Sequence, residues 1–396
     1  MTSPDRSETR TVLAAALVAL IGWAGVIGIG LQLAAMATPA LGFDLELLLE
    51  AGRALASGRS PYGVDLVGGA APTATDLFYS YPPPVAQVMA VFAGVPSSVM
   101  LVLWAIGATG GLLVIAEILR RRLAPDRSSR TVLVLVAAAA PMTLPFAVGL
   151  LFGNYDVWFP LLYGLMLVAV LAPSRGTALA GGIALVFASL KIHPASMALW
   201  FFARWVRDRR SDTARVLLTA VAVGAGILIG SVAIGGLGLW SEYIAVVRSG
   251  TGAVIIDPRN AGLAAFAASI LGLGDPSARM IHVGVAVVAL GVTIWASMRR
   301  GDPLESFAWA TAASLSTLPV TWYHYPSAMI PVAIAAWLRS GPTDRRRVVL
   351  YLVAAEIVAV VALVVLPLLW LAIGLVILAA RSSQRSASVA AAREDG

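Results

Sequence analysis

Apolar residues fill this chain in long blocks, and short polar stretches, most of them carrying arginine, separate the blocks. A helical block of about 20 apolar residues matches the hydrocarbon thickness of a bilayer. The pattern predicts spanning or near-spanning helices at 11–37, 97–119, 131–150, 155–172, 176–191, 194–205, 213–235, 278–298, 304–319, 324–338, 347–365 and 367–380. Twelve crossings put both termini on one side. Some apolar stretches are too short to cross. Residues 84–95, "PVAQVMAVFAGV", read as an interfacial or re-entrant helix, and 260–273 are again short of a span. The pair 176–191 and 194–205 forms a hairpin around Lys191-Ile192-His193-Pro194, whose open backbone needs polar or protein surroundings. In the loop 38–83, Leu45, Leu48, Leu49 and Leu55 recur at helical spacing, with Glu46, Glu50 and Arg53 on another face. This spacing predicts an amphipathic helix along the membrane surface, ended by Ser57-Gly58 and turned at Pro61-Tyr62.

Composition narrows the class. Of 396 residues 59% are hydrophobic and 12% charged, against about 25% charged in soluble domains. No polar segment is long enough for a soluble domain. The expectation is one all-α polytopic membrane domain over 11–380, with an extracytoplasmic loop at 38–83 and short cytoplasmic tails at 1–10 and 381–396. The first apolar run is too long for a signal-peptide core. Although Ala35-Met36-Ala37 resembles a cleavage site, an uncleaved helix is expected. Cysteine is absent, which excludes disulfides and cysteine metal sites.

The formal charge of +7 reflects 28 basic residues, of which Lys191 is the single lysine. Under the twelve-crossing topology only Arg53, Arg59, Lys191, Arg248, Arg259 and Arg279 fall on one side, and the other 22 collect opposite. Positive-inside bias makes the arginine-rich side cytoplasmic and explains the charge without nucleic acid.

The polar motifs embedded in apolar sequence lie on the opposite, outer side: "YSYPPP", "GNYD", "SLKIHPA", "DPRNAG" and "TWYHYP". Ionisable groups at membrane depth are costly and mark functional sites by default. Each has a plainer alternative. Asp44 is either a functional carboxylate or the N-cap of the leucine-rich helix. Glu46 and Glu50 suit a solvated face. Lys191 either meets a ligand or snorkels from a helix end. His193 either binds or donates to a backbone carbonyl, and Arg259 either binds or anchors at the interface. His324, between Trp322, Tyr323 and Tyr325, is either a site residue or part of an aromatic belt. His282 reads as packed, and Asp156 as a turn or cap residue.

The order of these motifs resembles glycosyltransferase family 87, in the GT-C superfamily. The residues that carry it are "FDLELLLEAGRALASGRSPYG", "YSYPPPVAQVMAVFAGVP", "GNYDVWFPLLYGLML", "SLKIHPASMALWFFARW", "RNAGLAAFAASILG" and "LPVTWYHYPSAMIPV". The resemblance implies a GT-C-like fold and a polyprenyl-phosphate-sugar donor, as in the actinobacterial phosphatidylinositol mannoside mannosyltransferases. Asp44 then matches the family's proposed catalytic base, Trp322 and His324 its tryptophan-x-histidine signature, and Lys191 and Pro194 its lysine-x-x-proline motif. The chain departs from these relatives at Asn154, Tyr155 and Asp156, where they tend to carry Gln-Val-Asn, and at Tyr325, where a second histidine is frequent.

The chemistry suits these residue types. An inverting transfer needs one base for the acceptor hydroxyl, here Asp44, and positive or hydrogen-bonding groups for the leaving phosphate. Those are Lys191, Arg259, His193 and His324. Tyr62, Tyr81, Asn154, Asn260 and Trp322 are the candidates for holding sugar and acceptor. No aspartate-rich metal motif stands in the sequence, so neither a metal nor a cofactor is expected. The expected partners are a polyprenyl-phosphate sugar donor, a glycolipid acceptor and membrane lipids, with the site on the outer face of the plasma membrane. The rival reading is a lipid or glycolipid transporter, a class that usually shows internal repeats and a midplane site.

Overall fold

The computed structural model describes residues 6–36, 40–70, 78–250 and 255–383. Among them every regular element is helical. In chain order these are α1 (Arg6–Ala34), α2 (Phe43–Ala56), α3 (Val64–Val67), α4 (Pro83–Val91), α5 (Ser97–Leu123), α6 (Ser129–Ala139), α7 (Leu144–Phe152), α8 (Phe159–Leu171) and α9 (Arg175–Ser189). The chain continues through α10 (Ser196–Asp208), α11 (Ser211–Gly250), α12 (Leu263–Ile270), α13 (Asp275–Met298), α14 (Pro303–Ser314), α15 (Ile330–Arg339), α16 (Pro342–Val361) and α17 (Leu368–Ser382). Each of the twelve apolar segments falls largely on a helix. Residues 1–5 of the expected N-terminal tail, most of the C-terminal one, Ala37 of the alanine-methionine-alanine stretch, and parts of the first loop lie outside the described residues; 6–10 begin α1.

By length and hydropathy, α1, α5, α11 and α13 are able to cross a bilayer alone, and α6 with α7 makes a fifth span if the bent pair is counted as one. Large apolar side chains along α1, α11 and α13, such as Leu20, Val221 and Val287, are exposed. A surface this apolar suits lipid rather than water. The protein is a helical membrane protein.

Two breaks shape the molecule. Between α6 and α7 the axis turns by 70° through Pro141 and the Thr143–Pro145 turn. The amide of Leu144, orphaned at the new helix start, donates to the Glu356 carboxylate of α16 at 2.7 Å. Within α11, Gly236 leaves helical geometry at φ 72°, a conformation open to glycine. The break falls at the end of the predicted span 213–235, and the second half of α11 then packs near the first loop, where Ser249 bonds Leu66 O at 2.8 Å.

The short helices behave as their length demands. α4 packs against α2, with Gly52 set against the backbone of Met89 and Ala90. α9 packs against α8 and α11, and α10 against α11 and α13, so the two helices part at Lys191–Ala195 instead of packing as the expected hairpin; α12 is a short helix against α13. Several turns converge at one end: Gly42–Asp44, Gly153–Asp156, Lys191–Ala195, Asp257–Gly262 and Trp322–Met329. Cross-links hold them together. Gly42 N donates to Leu151 O at 2.8 Å, Ala261 N to Thr321 O at 2.8 Å, and Ser327 Oγ to Asp156 O at 2.8 Å. Near the start of α5, Trp104 Nε1 bonds Asn154 O in this cluster. Arg120–Arg122 close the same helix, roughly 24 Å further along its axis. The converging turns and the arginine-rich loops therefore lie toward opposite ends of the molecule.

Candidate active site

A cleft of about 650 Å³ opens among the converging turns, lined by Asp44, Tyr81, Asn154, Lys191, Arg259, Trp322 and His324 together with Asp257 and Tyr325. That size suits a small-molecule or lipid-headgroup ligand. Its remaining wall is apolar, with Val148 of α7, Val246 and Val247 of α11, Leu318, and Leu363, Val364 and Leu366 between α16 and α17.

Asp44 sits in the first turn of α2, and the helix is capped by Gly42 in the left-handed region, with no side-chain cap bond. The capping alternative for Asp44 therefore fails. Its carboxylate instead accepts from Asn154 Nδ2 at 2.6 Å. The amide orientation of Asn154 follows from its other partners. Lys191 Nζ at 3.1 Å and the Asp156 N–H at 2.9 Å are both donors, so the oxygen Oδ1 must face them and the NH₂ must face Asp44. This approach requires close packing of α2 against the turn after α7. Gly153, at φ 68°, provides it, since a Cβ there would lie 2.5 Å from Leu45 Cβ.

Lys191 does not snorkel. Its Nζ pairs with Asp156 Oδ2 at 2.8 Å and stands 4.5 Å from the Tyr325 ring centroid. Asp156 is fully buried, and His324 Nε2 stands 3.2 Å from the same carboxylate oxygen. That approach is within ion-pair reach but misses hydrogen-bond geometry, so Nε2 and Asp156 Oδ1 have no hydrogen-bond partner among the described residues. Ile192, between Lys191 and His193, is held at φ 49°. For a β-branched residue this is a strained conformation of the kind that clusters at functional turns.

Arg259 grips Asp257 through Nε at 2.9 Å and Nη2 at 2.6 Å while its side chain remains 62% exposed. Its guanidinium lies 5.8 Å from the Trp322 ring centroid. Burial raises the pKa of Asp257, but the Arg259 side-chain and backbone hydrogen bonds and its charge outweigh that and hold it below the usual carboxylate range.

Three expected site residues stand off the cleft wall. His193 is buried, stacked on Tyr325 at 4.8 Å and edge-on to Phe159 at 5.4 Å. Burial is the main cause that pushes its pKa down to about 3, with Asp156 opposing and Lys191 reinforcing, so it is neutral. Asn260 is spent on backbone. It donates to Ile255 O and Pro319 O, each at 2.9 Å, and accepts from the amides of Gly262 and Thr321, each at 2.8 Å. Tyr62 is buried behind Tyr81, donating to its carbonyl at 2.9 Å. Glu46, as its amphipathic setting suggests, pairs with Arg53 at 2.5 Å, and Glu50 is exposed.

Asp156 and Tyr325 are the central residues that sequence reasoning set aside. The signal for Asp156 was its place in "GNYD", directly before the apolar run of α8. A turn carboxylate and a buried counter-ion look alike until the partner is known.

These features define a membrane protein with a carboxylate-, amide- and cation-lined cleft opening onto an apolar wall. Residues 79–322 match glycosyltransferase family 87, well over half of the chain, and the chain belongs to that family. It is a glycosyltransferase. The matched stretch includes Asn154, Asp156, Lys191, Arg259 and Trp322; it begins after Asp44 and ends just before His324. No curated protein matches the chain.

Proposed function

We propose that this glycosyltransferase transfers a sugar, mannose by its family resemblance, from a polyprenyl-phosphate donor to a glycolipid acceptor such as a phosphatidylinositol mannoside, with inversion, on the outer face of the plasma membrane. One observation carries the proposal: the Asp44 carboxylate is tied through Asn154 to Lys191 and Asp156, beside His324, in a cleft whose other wall is apolar. A polar end for sugar and phosphate and an apolar side for a lipid chain are what a lipid-linked donor demands.

In this mechanism Asp44 takes the proton of the acceptor hydroxyl as its oxygen attacks the anomeric carbon. The bond from that carbon to the donor phosphate oxygen breaks, and its electron pair leaves with the phosphate. Two acids, Asp44 and Asp257, line the cleft with two cations, Lys191 and Arg259, and a third acid, Asp156, is buried behind Lys191. The phosphate would meet the third N–H of Lys191 and the charge of the exposed Arg259 guanidinium, with His324 beside them behind the buried Asp156. Trp322 and Tyr81 offer flat faces to the sugar. Asn154 holds the base, and no step calls on a divalent cation.

The test is transfer by the purified protein from polyprenyl-phosphate mannose to a phosphatidylinositol mannoside, with EDTA present, read as a mannosylated lipid by mass spectrometry. Absence of product alongside movement of intact glycolipid across a vesicle membrane would replace the proposal with the transporter reading.

A further inference from the structure

A second cavity, of about 410 Å³, lies at the other end of the molecule, where α5, α8, α10 and α15 finish and α14 starts. Leu123, Val170 and Leu171 form its apolar part, and Arg204, Arg210 and Arg339 line it. Nothing in the glycosyl-transfer chemistry uses it.

Its charges do not balance. Arg339 is engaged with both oxygens of Asp302, one at 2.8 Å, and that carboxylate also caps α14 through the Leu304 amide at 2.6 Å. Arg207 takes both oxygens of Asp208, at 2.6 and 2.5 Å. These pairs leave Arg204 and Arg210. Arg204 is only 7% exposed, stacks on Trp200 at 5.3 Å and approaches Asp208 no nearer than 3.9 Å. Its guanidinium makes no hydrogen bond to any described residue. Arg210 is exposed and its side chain has no ion pair among the described residues.

A guanidinium does not give up its proton in a protein, and burying one without a counter-charge is expensive. The natural remedy is an anion from outside. A buried arginine whose nearest carboxylate oxygen, on the already doubly bonded Asp208, is 3.9 Å away and an exposed arginine without an ion pair among the described residues stand over an apolar floor where helices end on the arginine-rich side; together they match a phosphate group carrying an apolar body. We propose that this cavity binds the phosphate of an anionic phospholipid, with Arg204 as the buried contact, Arg210 as the outer one, and Leu123, Val170 and Leu171 against the start of the acyl region. The proposal does not rest on the donor or acceptor of the transferase. A free phosphate ion shares the headgroup's chemistry but gains nothing from the floor.

The full-length protein in phosphatidylcholine nanodiscs is titrated with phosphatidylglycerol, and retained lipid is counted by native mass spectrometry. A parallel thermal scan in detergent adds inorganic phosphate alone. Retention of phosphatidylglycerol is expected, weakened about tenfold in Arg210→Gln, the loss of one charge-assisted contact, and at least as much in Arg204→Gln. Arg210 is exposed, so its variant keeps the test open if Arg204→Gln does not fold. Arg122→Gln, exposed on the same side but outside the cavity, should retain lipid normally. Stabilisation by phosphate alone, lost in Arg210→Gln, would keep the phosphate site and assign it to a soluble anion. The proposal is overturned if neither ligand has an effect, if neither cavity variant changes binding, or if Arg122→Gln weakens it equally, which would mark diffuse surface attraction.

Discussion

At the residue scale the cleft turns on the difference between a paired and an unpaired carboxylate. Asp44 is half-buried and accepts one neutral hydrogen bond, from Asn154, whereas Asp156 is fully buried against Lys191. The first is placed to take a proton from an acceptor and the second to hold a cation in place. Asp44→Asn keeps an oxygen for Asn154 and leaves the Gly42 cap untouched. Turnover should fall by about 10²–10⁴ with little change in melting temperature; normal turnover in the folded variant would remove Asp44 from the chemistry. Lys191→Ala should behave differently, since it strands a buried carboxylate. We expect a loss of about 3–5 kcal/mol in stability and weaker use of donor than of acceptor. Lys191→Met combined with Asp156→Asn should recover much of the stability but not the donor use. Recovery of both would reduce the pair to a structural bond.

At the scale of elements, the site exists because short helices and turns are pinned at close quarters. α2 carries Asp44, and its position depends on the approach of α4 at Gly52. A Cβ at Gly52 would collide with the Met89 and Ala90 backbone, which no rotamer change relieves. Gly52→Ala should destabilise the protein by about 1–3 kcal/mol and also lower turnover by tilting α2; thermal scans and transfer assays on one preparation check both. The Asp257–Gly262 loop is held differently, by an ion pair. Because the folded pKa of Asp257 is depressed, its contribution is present above the unfolded value of about 3.9 and is lost as pH falls through the lower folded value. Asp257→Asn should therefore flatten the fall in melting temperature below about pH 4 and leave neutral pH as the condition of greatest difference from the parent.

At the scale of the whole molecule, the polar cleft and the arginine-rich loops lie toward opposite ends, which gives the protein a sidedness. Under the proposed twelve-crossing topology, the 22 to 6 division of basic residues places the cleft on the outer side by the positive-inside rule. The chain has no cysteine, so a single introduced thiol reports one place. Ser60→Cys, on the exposed turn after α2, should react with a membrane-impermeant maleimide in intact spheroplasts. Reaction only after lysis would invert the topology and remove an extracytoplasmic donor from consideration.

Much of this was legible in the linear pattern. Hydropathy located the twelve apolar segments and the helix that carries Leu45–Leu55, but Leu45, Leu48 and Leu49 pack into the protein core rather than along the membrane surface, and the helix that the apolar run ended at 235 continues past Gly236 to Gly250. The apolar segments depend on what each residue is and on neighbours a few positions away. The same property picked out Asp44, Lys191, Arg259 and His324, because a polar group in apolar surroundings is unusual wherever the chain later goes; Trp322 came from the family resemblance. Packing alone decided what each polar group does. Asp156 meets Lys191 from 35 positions away, His193 turns into the Tyr325 stack, and Asn260 spends its amide on four backbone groups. Packing also set where helices bend, as between α6 and α7 and at Gly236. Transfer from water to lipid is a property of the single side chain and survives in one dimension. A hydrogen bond or ion pair is a property of distance between two groups, and that distance exists only once the helices have packed.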